Sequence, residues 1–195
     1  MDDHLSNLGF TQIEIEQWEN SSASKLYPIL KGGLYHRTSV TNYFSIKKDG
    51  YIYPNKGQFQ FTYPQSEYYY GYSNGLICLF DFAVPTLKEC IITFDSWEQF
   101  FFDQHPVTIV FKLNREDLSD KLIPNSAAPK NRPNYKGHIH YVESWYPEPI
   151  SFSSIEGFCI PCYLEGELKV VFFEKSIINE FEKVLNILKK ENTEQ

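Results

Sequence analysis

The side chain best placed for charge-stabilising chemistry is Glu143, in the segment 137–145, which reads Gly-His-Ile-His-Tyr-Val-Glu-Ser-Trp. This segment predicts a strand over 138–146, in which every second side chain faces the same way. Glu143 then shares one face with Ile139, Tyr141 and Trp145. A buried carboxylate without partners is costly, so Glu143 is either exposed at a strand end or held by hydrogen bonds in a cleft. The sequence leaves both alternatives open.

His36 is a second candidate, because it lies inside a predicted strand at 34–38 that directly precedes a helix. Strand ends commonly border clefts, and histidine changes its charge near neutral pH. A histidine in a strand is also commonly a core or rim residue, and this alternative remains beside the functional one.

A tyrosine cluster lies in the segment 51–74, which has no sustained periodicity and predicts a long loop with one short strand at 58–62. Long loops often carry function. Tyrosine rings can stack on a flat ligand, or they can fold over the core. The cluster consists of Tyr63, Tyr68, Tyr69, Tyr70 and Tyr72.

The elements that would position these residues predict an α+β fold. Strands are predicted at 34–38, 76–82, 107–113, 138–146 and 167–173, and helices at 3–20, 40–48, 95–102 and from Ser176 onward; 124–133 is predicted as a loop. The strands come in runs without regular strand–helix–strand alternation, which indicates a mainly antiparallel sheet.

Two helices carry recognisable signals. The helix at 40–48 follows a cap at Thr38-Ser39 and ends at Asp49-Gly50. In the C-terminal helix, Ser176 is the predicted cap. Its apolar stripe consists of Ile177, Phe181, Val184 and Leu188, widened by Ile178 and Leu185.

The length and composition of the sequence limit the classes of protein to which it can belong. The 195 residues, 42% of them hydrophobic, predict one domain with an N-terminal helical extension at about 1–31 and a C-terminal helix at about 176–191. Aromatic residues at 17% exclude a disordered chain. The net charge of −7 gives no general attraction to nucleic acid. The sequence has no membrane-length apolar run and starts with acidic residues, so we expect a cytoplasmic protein with reduced cysteines.

A metal site is a competing interpretation. Its four potential zinc ligands are His138, His140, Cys159 and Cys162. A zinc deaminase would require His-x-Glu and a proline before the first cysteine, whereas this chain has two residues between His140 and Glu143 and Phe158 before Cys159. We therefore predict no metal, which would make Cys159 and Cys162 small apolar core residues. A structural zinc site remains the alternative.

Several of these segments together resemble the ADP-ribosyltransferase superfamily, in particular its small bacterial and phage members. The resemblance extends over about 34–155. It is carried by Tyr-His-Arg-Thr-Ser at 35–39, Asp-Gly-Tyr-Ile at 49–52, the strand at 75–82, Glu-Ser-Trp at 143–145, and the following Pro149-Ile150 and Ile155.

The resemblance implies a split antiparallel sheet that opens into an NAD cleft. It assigns NAD contacts to His36 and its neighbours Arg37 and Thr38. It assigns the catalytic carboxylate to Glu143. Stacking on nicotinamide would fall to a tyrosine of the loop, with Tyr63, Tyr69 and Tyr72 as candidates. The chain departs from the family pattern at Arg37, where the histidine class usually has glycine, and lacks a Ser-Thr-Ser run in the middle motif.

The function implied is NAD-dependent transfer of ADP-ribose to a macromolecular acceptor, a protein or a nucleic acid, as in toxins or phage–host conflict. The alternative is a binding or inhibitor protein that uses an acidic, tyrosine-rich surface, since tyrosine is enriched at interfaces. Full exposure of Glu143 and no nucleotide binding would favour that alternative.

Overall fold

The computed structural model describes residues 11–14, 26–59, 69–93, 108–128, 138–164 and 167–191. For 11–14, 161–164, 167–169 and 187–191 only the backbone is described. Several predictions lie wholly or partly outside these residues. Among them are the helices at 3–20 and 95–102, the strand at 58–62, the end of the loop at 124–133, and the residues Tyr63 and Tyr68.

Antiparallel pairing organises the strands. The described strands are β1 (Thr11–Glu14), β2 (Leu34–Ser39), β3 (Tyr51–Ile52), β4 (Ile77–Asp81), β5 (Thr108–Leu113), β6 (Glu143–Tyr146), β7 (Ile150–Ser151), β8 (Ile155–Leu164) and β9 (Glu167–Glu174). Seven of them form one sheet in the order β1-β9-β8-β5-β2-β4-β6, and β3 pairs with β7 in a small second sheet. All these pairings are antiparallel, which confirms the α+β class with a mainly antiparallel sheet.

Several helices accompany the sheet. They are α1 (Val40–Asp49), α2 (Tyr70–Ser73), α3 (Leu87–Thr93), α4 (Arg115–Leu118) and α5 (Ile178–Glu191); residues 26–30 are also helical. The capping signals of α1 are confirmed. The Ser39 side chain accepts a hydrogen bond from the Asn42 amide, and Gly50 takes the left-handed conformation at φ 78°. No helix of the described ranges is long and apolar enough to cross a membrane.

Apolar side chains pack on both faces of the main sheet. One face carries Leu34 and Phe111 together with α5, and the other carries Tyr35 and Phe80 together with residues 26–30. On α5, Phe181 and Leu185 are fully buried, and the Phe181 ring stacks on Phe158 at 4.4 Å. The buried stripe of α5 therefore centres on Phe181 and Leu185, whereas Val184 is only partly buried.

The predicted N-terminal helix at 3–20 is wrong where the structure describes it, because Thr11–Glu14 is a strand paired with β9. Ile13 and Ile15 alternate with Glu14 and Glu16, which is a period of two. Hydrogen bonding to an available sheet edge outweighs the weak helical spacing.

The predicted strand at 138–146 is wrong in its first half, since β6 starts only at Glu143. Residues 138–142 form a turn in which the amide of Val142 donates to the carbonyl of His140, and the amide of Glu143 to that of Ile139. Tyr141 has φ 65°, which an extended strand does not accommodate. Only Glu143 and Trp145 of the predicted face remain together on the strand.

Two further boundaries differ from the predictions. The segment 51–74 contains β3 and α2, and Gln58 and Phe59 lie in a bend instead of the predicted strand. The Asn55 side chain accepts from the amide of Phe59 and stabilises this bend. Ser176 lies inside a 3-10 turn, Lys175–Ile177, so it does not cap α5.

Candidate functional site

The main sheet opens between two of its central strands. β2 pairs with β5 along all six of its residues but with β4 only at Leu34 and Tyr35. From His36 onward the two strands are no longer paired. His36 Nδ1 spans this opening and forms a hydrogen bond of 3.0 Å with the carbonyl oxygen of Cys78. The histidine therefore lies where the backbone pairing stops.

Glu143 lies on β6, directly opposite Phe80 of β4, and only 5% of the residue is exposed. Its Oε2 accepts a hydrogen bond of 2.6 Å from the Ile139 amide, and its Oε1 accepts one of 3.0 Å from Trp145 Nε1. The Cys78 thiol is a further hydrogen-bond partner. The surface alternative for Glu143 is wrong, because the carboxylate is buried and held by hydrogen bonds.

Burial raises the pKa of Glu143, whereas the Ile139 amide, the Trp145 indole, the Cys78 thiol and the Arg37 charge act in the opposite direction. Burial and the neighbouring Glu143 raise the pKa of the Cys78 thiol well above its ordinary value. Cys78 is therefore a protonated donor at neutral pH, and this site does not provide a reactive thiolate.

Arg37 lies on the same face of the sheet as Glu143. Its guanidinium carbon is 4.8 Å from the centre of the Phe80 ring, and Phe80 pairs with Glu143. His36 projects to the other face, where it pairs with Phe111. Of the three predicted nucleotide contacts on β2, Arg37 is therefore the one whose charge acts directly on the carboxylate.

Thr38, the third residue assigned to the nucleotide, lies farther along the unpaired part of β2. It pairs with Ile109 of β5 and is half-buried. Its position on the strand places it beside the opening between β2 and β4.

Tyr70 contacts this site, and it was not among the three chosen candidates. Its ring centre lies 4.5 Å from that of Trp145. Tyr69 is 39% exposed, Tyr72 is half-buried, and Tyr63 lies outside the described residues. Nothing in the sequence distinguishes Tyr70 from its neighbours, because only the tertiary fold brings it to the indole.

Gly71 makes this close packing feasible. A Cβ atom at this position would lie 2.2 Å from Cys78 Sγ and 2.8 Å from Trp145 Cδ1. These distances are far shorter than van der Waals contact, so any larger residue would displace the thiol or the indole that holds Glu143. Gly71 is thus a packing requirement of the site.

The candidate zinc ligands of the competing interpretation do not form a cluster in the described part of the chain, where no three His, Cys, Asp or Glu side chains are placed to share a metal ion. The rings of His138 and His140 are 4.8 Å apart. Cys159 is buried among apolar side chains, and the side chain of Cys162 is not described.

Sequence reasoning missed three contributors, namely Cys78, Gly71 and Asn125. Cys78 looked like one apolar residue of a strong strand, and Asn125 lies in a segment interpreted as a loop. The three become recognisable only through tertiary contacts with Glu143, Trp145 and the 138–142 turn.

Comparisons of the sequence with protein-family models and with curated proteins found no match.

His36 provides a test of the opening between β2 and β4. Burial lowers its pKa from 6.5 to about 4, so the folded protein keeps the ring neutral at pH 7. Between these two values the unfolded chain binds a proton that the folded chain does not, so the free energy of unfolding rises with pH. We expect His36→Asn to flatten this rise in urea-unfolding curves between pH 4 and pH 6.5.

The matched control is Thr38→Asn, because Thr38 is a half-buried residue of the same strand and carries no titratable side chain. It should retain the wild-type pH dependence. Identical slopes for wild type and His36→Asn would contradict a neutral, desolvated His36.

Proposed function

We propose that the protein is an NAD-dependent ADP-ribosyltransferase, which releases nicotinamide and passes ADP-ribose to a macromolecular acceptor. The observation that carries the proposal is Glu143, a buried carboxylate fixed by three hydrogen-bond donors beside the opening between β2 and β4. Buried ionisable groups with specific partners in such a position are typical of functional sites.

The chemistry requires a fixed negative charge. Cleavage of the bond between nicotinamide and ribose leaves positive charge on the ribose, and nicotinamide departs as a neutral molecule with the bonding electrons. A carboxylate that binds a ribose hydroxyl stabilises this charge as it develops. The acceptor nucleophile then forms the new bond to the ribose carbon and gives up its proton.

The surrounding residues fit the other parts of NAD. Arg37 provides a cation for the pyrophosphate on the face of Glu143. His36 is neutral and lies at the opening, where it suits a hydrogen bond to an uncharged hydroxyl or amide. The Tyr70 ring against Trp145 offers an aromatic surface for the flat nicotinamide.

Full exposure of Glu143 would favour the binding-protein alternative, which uses an acidic, tyrosine-rich surface. With 5% exposure, the residue cannot contribute to a flat surface contact. The burial therefore supports the enzymatic proposal over the alternative.

Two measurements on the purified full chain test the proposed function. NAD at about 100 times its Kd should raise the melting temperature by about 5–10 °C, since a ligand that binds only the folded state stabilises it. Free nicotinamide should appear when the protein and NAD are incubated with a cell extract that supplies acceptors. Absence of both effects would contradict the proposed function.

A further inference from the structure

Asn125 uses its whole side-chain amide to hold the turn that precedes Glu143. Its Oδ1 accepts a hydrogen bond of 3.1 Å from the amide of Tyr141. Its Nδ2 donates to the carbonyl oxygens of Ile139, at 2.9 Å, and of Glu143, at 2.7 Å. Three points of one five-residue segment are thus tied to a single side chain.

This turn supplies one of the donors to the carboxylate. The Ile139 amide lies 2.6 Å from Glu143 Oε2, so the position of Ile139 determines where that oxygen is held. Any shift of the turn would move the donor and release the carboxylate into another rotamer.

The backbone of the 138–142 turn is strained at Tyr141. Tyr141 adopts φ 65°, and a non-glycine residue in this left-handed region is strained because its Cβ lies too close to the following carbonyl oxygen. The conformation persists only where surrounding contacts impose it, and Asn125 provides such contacts on both sides of Tyr141.

The backbone next to Asn125 fixes the neighbouring strand as well. Ile123 and Trp145 exchange two backbone hydrogen bonds of 2.8 and 2.9 Å, so the segment 123–125 lies along the outer edge of β6. Asn125 therefore extends from a segment that is already docked beside Trp145, the second donor to Glu143.

We infer that Asn125 is a positioning residue, which acts through the 138–142 turn to hold the Glu143 carboxylate in its working rotamer. This inference rests on the proposed function for its effect on catalysis. Asn125 does not touch the carboxylate, and in this account it has no contact with NAD.

The test compares Asn125→Ala with Asn114→Ala. Asn114 caps α4, where its side chain accepts from the amides of Glu116 and Asp117, so both variants remove an asparagine that stabilises backbone amides. Each should lower the melting temperature by about 2–4 °C, because each removes side-chain hydrogen bonds to the backbone. Asn125→Ala should in addition lower kcat for nicotinamide release about 10-fold to 100-fold with little change in KM, because misplacement of a reacting group acts on the transition state.

The second readout is independent of activity. In NMR spectra of the wild type, the Ile139 amide proton should shift downfield through its short bond to Glu143, and Glu143→Gln should change that shift. Asn125→Ala should move the same signal, and Asn114→Ala should leave it in place.

The outcomes separate the two proposals. An unchanged Ile139 signal in Asn125→Ala, or an unchanged kcat in a wild type that turns over NAD, would overturn the role of Asn125. A wild type that never cleaves NAD would overturn the proposed function, and the Ile139 signal would still decide whether Asn125 positions Glu143. If Asn125→Ala does not fold, the same comparison is made in a Tyr141→Gly background, where glycine relieves the strained φ.

Discussion

Glu143→Gln is expected to lower the rate of nicotinamide release about 100-fold or more, while the protein stays folded. The loss of one preorganised electrostatic contact with a developing charge has an effect of about this size. The glutamine side chain has the same shape, so it occupies the space between Ile139 and Trp145. The measurement is single-turnover release of nicotinamide at saturating NAD, with the melting temperature recorded in parallel.

Glu156→Gln is the matched control, because Glu156 is a half-exposed glutamate of β8 that faces Lys112 at 3.6 Å. Its rate should equal that of the wild type, since exposed ion pairs contribute little. Equal rates for Glu143→Gln and the wild type would remove Glu143 from the mechanism.

Trp145→Ala is expected to lower the free energy of unfolding by about 3–5 kcal/mol, the usual range for deleting a buried large aromatic side chain. Trp145 has 0% exposure and packs against Tyr70, His138 and the backbone of Gly71. Chemical denaturation measures the loss. A loss below about 1 kcal/mol would contradict the packing described for the indole.

Trp145→Phe separates the hydrogen bond from the packing. It retains a ring in the same space but removes the Nε1–H donor that lowers the pKa of Glu143. The pKa of Glu143 should then rise further, because burial continues to favour the neutral carboxyl. If the ionised carboxylate is the active form, the acid limb of kcat/KM against pH moves to higher pH. A profile identical to that of the wild type would show that the indole does not act on Glu143.

Some of the fold and site was predictable because its signals are local. Ser39 and Gly50 delimit α1 through side-chain capping and left-handed geometry, which depend on neighbouring residues alone. The buried apolar residues Phe181 and Leu185 follow from the periodicity of α5. Glu143 was recognisable because a carboxylate on an aromatic strand face requires an explanation.

Other features depended on contacts between distant segments. The turn before Glu143 breaks the alternation of 138–146 because Asn125, 16 residues away from Tyr141, binds it. The contact of the Tyr70 ring with Trp145 depends on the tertiary fold, which packs Gly71 against Cys78 and Trp145. The strand at 11–14 requires β9, which lies at the other end of the chain. Periodicity contains no information on such pairings.

An NMR titration of the full chain with NAD tests the central claim most directly, because it locates the nucleotide without requiring an acceptor. Backbone amide shifts are expected to concentrate at 36–39 on β2, at Cys78 on β4 and at 139–145 around the turn and β6. These residues surround the opening between β2 and β4 and the Glu143 carboxylate. Shifts absent at saturating NAD, or confined to residues remote from these three segments, would contradict the account.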